Sequence, residues 1–159
     1  HRHDLEARRM SGVLASIRPD SWNFPLFLHV LGAMVLVGAV TAAVVAQLWT
    51  VTPADGDRLR RFSFRTMLFV AIPAWFVMAA GSEWIYSKEF GDTEDDPAWI
   101  GIGFMTREGG GLLLLIATIC AGIASRKSKS GLARASGIIA AIALAAWIVA
   151  VWAMAAKPS

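Results

Sequence analysis

The chain contains one cysteine among its 159 residues, so it cannot form an internal disulfide. Cys120 lies in an apolar run, where a buried and inert thiol is the usual state. Charged residues are also scarce, at 17% of the chain against about 25% in soluble domains. The positive charges lie beside apolar segments, so the net charge of +3 does not indicate nucleic-acid binding.

Several patterns that carry catalysis are absent from the sequence. There is no HxxxH or CxxC spacing, no serine–histidine–acid arrangement and no glycine-rich phosphate loop. Hydrolase and nucleotide chemistry are therefore disfavoured. These absences favour a role other than catalysis, but the sequence does not decide whether the chain is an enzyme.

Hydrophobic residues, by contrast, make up 56% of the chain and fall in blocks of twenty or more. Blocks of this length are typical of membrane-spanning helices. The sequence therefore predicts an all-α integral membrane four-helix bundle in contact with the lipid bilayer. The four predicted spans are residues 24–50, 66–86, 97–124 and 131–156.

Residues 1–23 are predicted to be an N-terminal tail. We interpret residues 1–9 as a tag remnant or an upstream extension, because Met10 offers a start and His1 and His3 alternate with arginine. At the third span, Asp96 followed by Pro97 predicts a helix start, since these residue types favour the cap and the first helical position.

Charge in the connections predicts the orientation of the spans. The connections at 52–65 and 125–134 are basic, whereas the loop at 87–96 is acidic. Because positive connections stay in the cytoplasm, we expect a multi-pass plasma-membrane protein with both termini outside.

Three irregularities are expected within the spans. Pro73 should kink the second span. The third span is too long for a bilayer, so it should tilt, protrude or break at its three glycines, 109–111. Gly38, Ala42 and Ala46 form a small-residue ridge on the first span, which predicts contact with a neighbouring helix, a second copy or a larger complex.

Four ionisable side chains are predicted to lie at similar depth in the outer half of the membrane: His29, Glu83, Arg107 and Glu108. Burying a charge in a bilayer costs about 2.5–3.5 kcal/mol on the insertion scale, so these groups are candidates for a ligand or ion site. We expect Glu108 to be shielded from lipid and paired with Arg107, His29 or Glu83.

Several roles for these residues stay open. The structural alternative is a salt bridge from Arg107 to Glu83 or Glu108, with His29 bonded to a backbone carbonyl or to Glu108. The functional alternatives begin with an accessory module that self-associates or joins a larger membrane complex. The others are a haem or copper centre using His29 and Glu108, a proton or ion relay in an oligomeric transporter, and a site for an apolar ligand. In the last of these, His29 and Glu108 would hold the polar head of a lipid or quinone.

The first span, FPLFLHVLGAMVLVGAVTAAV, contains an LHxxGAxxxxG pattern that begins at Leu28. It resembles the opening helix of small bacterial membrane proteins of the DUF2269 type and of the membrane domain of CopD-like copper-resistance proteins. The resemblance implies a multi-span helical fold and an association with copper or haem. His29 is the residue that would carry this association.

Overall fold

The structure is a computed structural model that describes residues 23–49, 53–89 and 98–156. Every regular element in these ranges is helical. The predictions made for the tail before Asn23, for most of the acidic loop and for the helix start at Asp96 and Pro97 lie outside the described residues.

The described chain forms four long helical spans. Its elements, in order, are α1 (Asn23–Leu48), α2 (Pro53–Thr66), a π turn (Met67–Ala71), α3 (Ile72–Glu89), α4 (Ala98–Lys127) and α5 (Ser130–Ala156). The second span consists of α2, the π turn and α3 in continuous succession. Each of the four spans is long and apolar enough to cross a membrane, which confirms the predicted all-α four-helix membrane bundle.

The π turn lies directly before Pro73. In a regular α-helix, proline offers no N–H to the carbonyl four residues earlier, and its ring clashes with that carbonyl. Here the turn is wider, and the N–H of Ile72 donates to the carbonyl of Met67, five residues back. The irregularity expected at Pro73 is therefore absorbed by a wider backbone turn on its N-terminal side.

Small residues make up most of the core. The alanines of the central buried cluster are Ala39, Ala43, Ala71, Ala74, Ala117, Ala121, Ala140 and Ala143. Lipid is as apolar as a leucine side chain, so membrane helices associate through close packing, which small residues permit.

Two glycines set the crossing of α1 and α3. A Cβ atom on Gly32 would lie 2.6 Å from the backbone nitrogen of Met78. A Cβ atom on Gly81 would lie 2.7 Å from the backbone nitrogen of His29. Because both neighbours are backbone atoms, a side chain at either position would force the two helices apart.

The small-residue ridge on α1 is exposed over part of its length and buried at one end. Gly38 and Ala42 are exposed, and a Cβ atom on Gly38 would meet no described atom within 4 Å. Ala46, by contrast, is buried. The described chain therefore supplies no partner for Gly38.

The three consecutive glycines do not break α4, which runs without interruption through them. Gly110 lies against the indole of Trp147 on α5, and a Cβ atom on Gly111 would lie 2.6 Å from the ring of Trp75 on α3. Two of the glycines are therefore docking points for tryptophans. At 30 residues the helix is about 45 Å long, so it must tilt or protrude from a hydrocarbon core of about 30 Å.

The helices are packed unevenly. α4 packs along the length of α5, and α1 packs against both α3 and α5. α2 closes against α1 and α4 at the basic end, where α1 ends and the α4–α5 turn lies. There Asp57 binds Arg60 and accepts a hydrogen bond from Ser128 of the turn. α3 and α4 meet at few residues, so the bundle is open between them towards the acidic end, where α3 ends and α4 begins.

Candidate functional site

Arg107 is the centre of an ion cluster at the acidic end, formed with Ser82, Glu83 and Glu108. Its Nη2 donates to Oε1 of Glu83 at 2.8 Å and to Oε1 of Glu108 at 2.7 Å. Nε donates to the same Glu108 oxygen at 3.0 Å, and Nη1 donates to the Ser82 hydroxyl at 2.8 Å. The guanidinium therefore links α3 and α4 where the two helices otherwise diverge. We call these four residues the Arg107 cluster.

Aromatic neighbours direct Arg107 towards α3. Its guanidinium carbon lies 4.5 Å from the centre of the Phe104 ring, one turn earlier on α4. Phe104 in turn meets Tyr86 of α3 edge-on, with ring centres 5.2 Å apart. The arginine stem thus runs along an aromatic surface, and the charged head reaches the end of α3.

The backbone of Arg107 is fixed by a second contact from α3. Trp75 donates its indole N–H to the Arg107 carbonyl oxygen at 3.2 Å. The indole can come this close because Gly111, one turn further along α4, has no side chain. The two helices are therefore joined from both sides: Trp75 of α3 donates to α4, and Arg107 of α4 donates to α3.

The two carboxylates of the cluster are exposed although the guanidinium is not. The Arg107 side chain is 12% exposed, whereas those of Glu83 and Glu108 are 55% and 62% exposed. Glu108 pairs with Arg107, as expected, but the expectation that it is shielded is wrong for the single described chain. Its carboxylate lies open on the side of the bundle.

One arginine faces two carboxylates, so the cluster carries one net negative charge. Arg107 occupies Oε1 of each glutamate. Among the described residues, no hydrogen bond reaches Oε2 of Glu83 or Oε2 of Glu108. Arg107 uses four of its five N–H groups within the cluster, and one N–H of Nη1 is left over. The cluster therefore has little donor capacity left and more spare acceptor capacity.

His29 lies apart from this cluster. Its Nδ1 is 3.1 Å from the carbonyl oxygen of Met78, which can only accept, so Nδ1 carries the proton. Within the described ranges, no hydrogen bond or ion pair joins His29 to Glu83, Arg107 or Glu108. The structure thus brings together three of the four predicted residues, and His29 fastens α1 to α3 instead.

His29 could contribute one ligand to a metal or haem. The described residues contain no group of three histidine, cysteine, aspartate or glutamate side chains that could hold a metal ion. With Nδ1 bonded to a carbonyl, His29 could offer only Nε2. The copper or haem association implied by the resemblance would therefore use this single nitrogen, and one ligand does not complete a metal site by itself.

Replacing His29 with alanine tests this conclusion directly. We expect detergent-purified wild-type protein and His29→Ala to have the same absorption spectrum and the same metal content, since one imidazole is a poor site on its own. The variant should instead lose thermal stability, by about 1 kcal/mol for the hydrogen bond between α1 and α3. A Soret band or near-stoichiometric copper that disappears in the variant would contradict this reading.

A groove of about 250 Å³ opens between α3 and α4 beside the Arg107 cluster. Its α3 wall is formed by Ile72, Trp75 and Phe76. Its α4 wall is formed by Gly111, Leu112 and Leu115, with Glu108 at the same opening. Phe76, Leu112 and Leu115 are all exposed in the described chain, so the groove faces sideways, towards lipid. A single carboxylate thus borders an otherwise apolar and aromatic surface.

Two of the residues that build this site were not singled out from the sequence. Ser82 precedes Glu83 and carries no distinctive spacing, so nothing in the sequence marks it as a partner of Arg107. Trp75 lies in an apolar span, where tryptophan commonly packs against other side chains. The sequence contains this tryptophan and a glycine-rich segment on the next span, but it does not show that the two meet.

Comparison of the chain with protein-family models, with curated proteins and with solved structures finds no match. The function is therefore inferred from the residues of the Arg107 cluster and of the groove beside it.

Proposed function

We propose that the protein is a membrane-embedded binding module that holds an apolar ligand with a polar head in the groove between α3 and α4. The apolar part would lie between Trp75 and Phe76 on one wall and Leu112 and Leu115 on the other. The polar head would meet Glu108. The observation that carries the proposal is this exposed carboxylate at the opening of a lateral apolar groove.

The shape of the groove supports a ligand that enters from the bilayer. Binding sites are concave, largely apolar and equipped with few polar groups, and this groove has all three properties. Its volume suits a chain segment or a compact ring rather than a whole large molecule. Because the groove opens sideways, the remainder of the ligand could stay in lipid.

The energetic cost of Glu108 also supports a binding role. Glu108 lies about ten residues inside the 30-residue span of α4, and an exposed carboxylate within a span is costly unless water, a counter-charge or a ligand compensates it. Arg107 compensates one oxygen, and the other has no partner among the described residues. A ligand head that donates a hydrogen bond would complete the site.

The proposal places both termini outside, on the basis of the basic connections. The resemblance of the first span adds a bacterial plasma membrane to the proposal. The groove then lies near the middle of the spans, with Glu108 on its outer side. The proposal also includes self-association or entry into a larger complex. The exposed small residues Gly38 and Ala42 on α1 support it, because they would let another helix approach closely. Neither residue lines the groove.

A photoactivatable ligand tests the groove. The probe is a neutral long-chain primary alcohol that carries a diazirine, added to protein in lipid nanodiscs and competed with unlabelled alcohol. We expect the competed labelling to map to the α3 and α4 segments that line the groove, 72–76 and 111–115. Labelling spread evenly over all four spans would overturn the proposal.

A matched pair of variants sharpens the test. Leu112→Trp fills the groove from an exposed position, so it should abolish the competed labelling without disturbing the core. Ile119→Trp makes the same kind of change at another exposed aliphatic position of α4 that does not line the groove. It should label like the wild type, and equal labelling in both variants would contradict the proposal.

A further inference from the structure

We infer that the ligand of this groove is a lipophilic cation, an apolar and preferably aromatic molecule with a positively charged head. This inference rests on the proposed function and names the ligand class for the same site. Three observations carry it: the net charge of the Arg107 cluster, the donor and acceptor balance within the cluster, and the aromatic wall of the groove.

The net charge favours a cation. Glu83 and Glu108 together carry two negative charges, and Arg107 neutralises one of them. A second positive charge beside Glu108 would bring the cluster to neutrality. In the low dielectric of a membrane, this neutralisation is far more favourable than in water, whereas an anionic head would be repelled.

The hydrogen-bond balance points the same way. Four of the five N–H groups of the Arg107 guanidinium donate to Ser82 and the two glutamates, so a single N–H of Nη1 is left for an acceptor on a ligand. Both glutamate Oε2 atoms are open to a donor or a cation. A phosphate, sulfate or carboxylate head would therefore find at most one free donor, beside two carboxylates that repel it.

The aromatic wall suits the apolar part of such a ligand. Trp75 and Phe76 lie edge to face, with ring centres 5.0 Å apart, and both line the groove. Aromatic faces attract cations and pack against other rings. A cation between Glu108 and this wall would be attracted from both sides.

A pair of ions with the same shape and opposite charge tests the inference. Tetraphenylphosphonium and tetraphenylborate can each place one phenyl ring in the groove while the rest of the ion stays in lipid. They are titrated separately into wild-type protein and Glu108→Gln in nanodiscs. The difference between the two proteins is the quantity compared, because partition into the lipid is common to both. Arg107 keeps Glu83 and Ser82 in the variant, so the fold should be retained.

We expect Glu108→Gln to bind tetraphenylphosphonium about tenfold more weakly than the wild type, because one full charge is lost at the opening. Tetraphenylborate should bind weakly to wild type and no more weakly to the variant. Glu94→Gln, which removes one charge from the acidic loop instead, is the matched control and should bind like the wild type. Phe76→Leu should also weaken tetraphenylphosphonium binding, whereas Phe69→Leu, at an exposed position outside the groove, should not.

Two outcomes separate this inference from the proposed function. If the long-chain alcohol labels the groove but both tetraphenyl ions bind independently of Glu108, the preference for cations is wrong and the groove stands. If neither the alcohol nor the tetraphenyl cation responds to any groove variant, the proposed function fails as well.

Discussion

Replacing Gly32 with alanine is expected to destabilise the protein by about 1–3 kcal/mol or more, the range for overpacking a tight contact. The new Cβ atom would lie 2.6 Å from the Met78 nitrogen and 2.9 Å from the Ala74 carbonyl oxygen. Because both are backbone atoms, the strain cannot be relieved by a rotamer change. α1 and α3 would have to separate, which would also lengthen the bond from His29 to the Met78 carbonyl.

The measurement is a thermal unfolding curve in which the labelling of the Cys120 thiol reports the unfolded fraction at each temperature. Cys120 is the single cysteine of the chain and is partly buried, so its labelling reports on loss of structure without an introduced probe. Gly101→Ala on α4 is the control, since its added Cβ meets no described atom within 4 Å and it lies outside the Gly38 face proposed for self-association. It should be as stable as the wild type, or up to about 1 kcal/mol more stable through helix propensity. Equal melting temperatures for the two variants would contradict the observed crossing.

Replacing Arg107 with glutamine is expected to destabilise the fold by about 2–3 kcal/mol and to detach the ends of α3 and α4. It removes the charged bonds to Glu83 and Glu108 and leaves two carboxylates without a counter-charge. Removing one partner of a fully buried ion pair typically costs roughly 3–5 kcal/mol. The loss expected here is smaller because both carboxylates are more than half exposed. The stability of Arg107→Lys should lie between those of the wild type and Arg107→Gln, since lysine keeps the charge but cannot reproduce the planar guanidinium group.

The same Cys120 labelling measures this effect, with Arg134→Gln as the control. Arg134 is exposed on α5 at the basic end and forms no ion pair among the described residues, so its loss should cost under about 0.5 kcal/mol. Adding Glu108→Gln to Arg107→Gln should recover part of the stability, because one uncompensated charge is removed. Additive losses in the double variant would show that the two side chains do not interact.

The depth of each ionisable residue could be predicted from sequence, but its partners could not. Helical rise places Arg107 and Glu108 within a few turns of the span end and Glu83 beside the tryptophan at the end of its own span. His29 lies at a similar position in the first span, and it was therefore grouped with the others. The structure separates it because α1 faces α3 at Gly32 and Gly81, and there the nearest acceptor is the Met78 carbonyl.

The three consecutive glycines of α4 are a second case in which the sequence left open what the structure decided. Three glycines in a row are compatible with a break, with flexibility or with close packing, and the sequence alone does not distinguish these outcomes. In the structure, Trp147 and Trp75 lie against Gly110 and Gly111, so that the helix stays continuous and buries two indoles. The deciding factor is the positions of tryptophans on two other helices.

The sequence by itself determined the all-α four-span architecture and the opposite charges of the two ends, because apolar length and charge are local properties of a segment. Only the tertiary structure decided which faces meet, where the bundle opens and which acid pairs with Arg107. The physical reason is that these helices are apolar on all sides, so no hydrophobic stripe fixes their rotation. Rotation is set instead by where small residues let two backbones approach, as at Gly32 and Gly81, and that contact requires both helices at once.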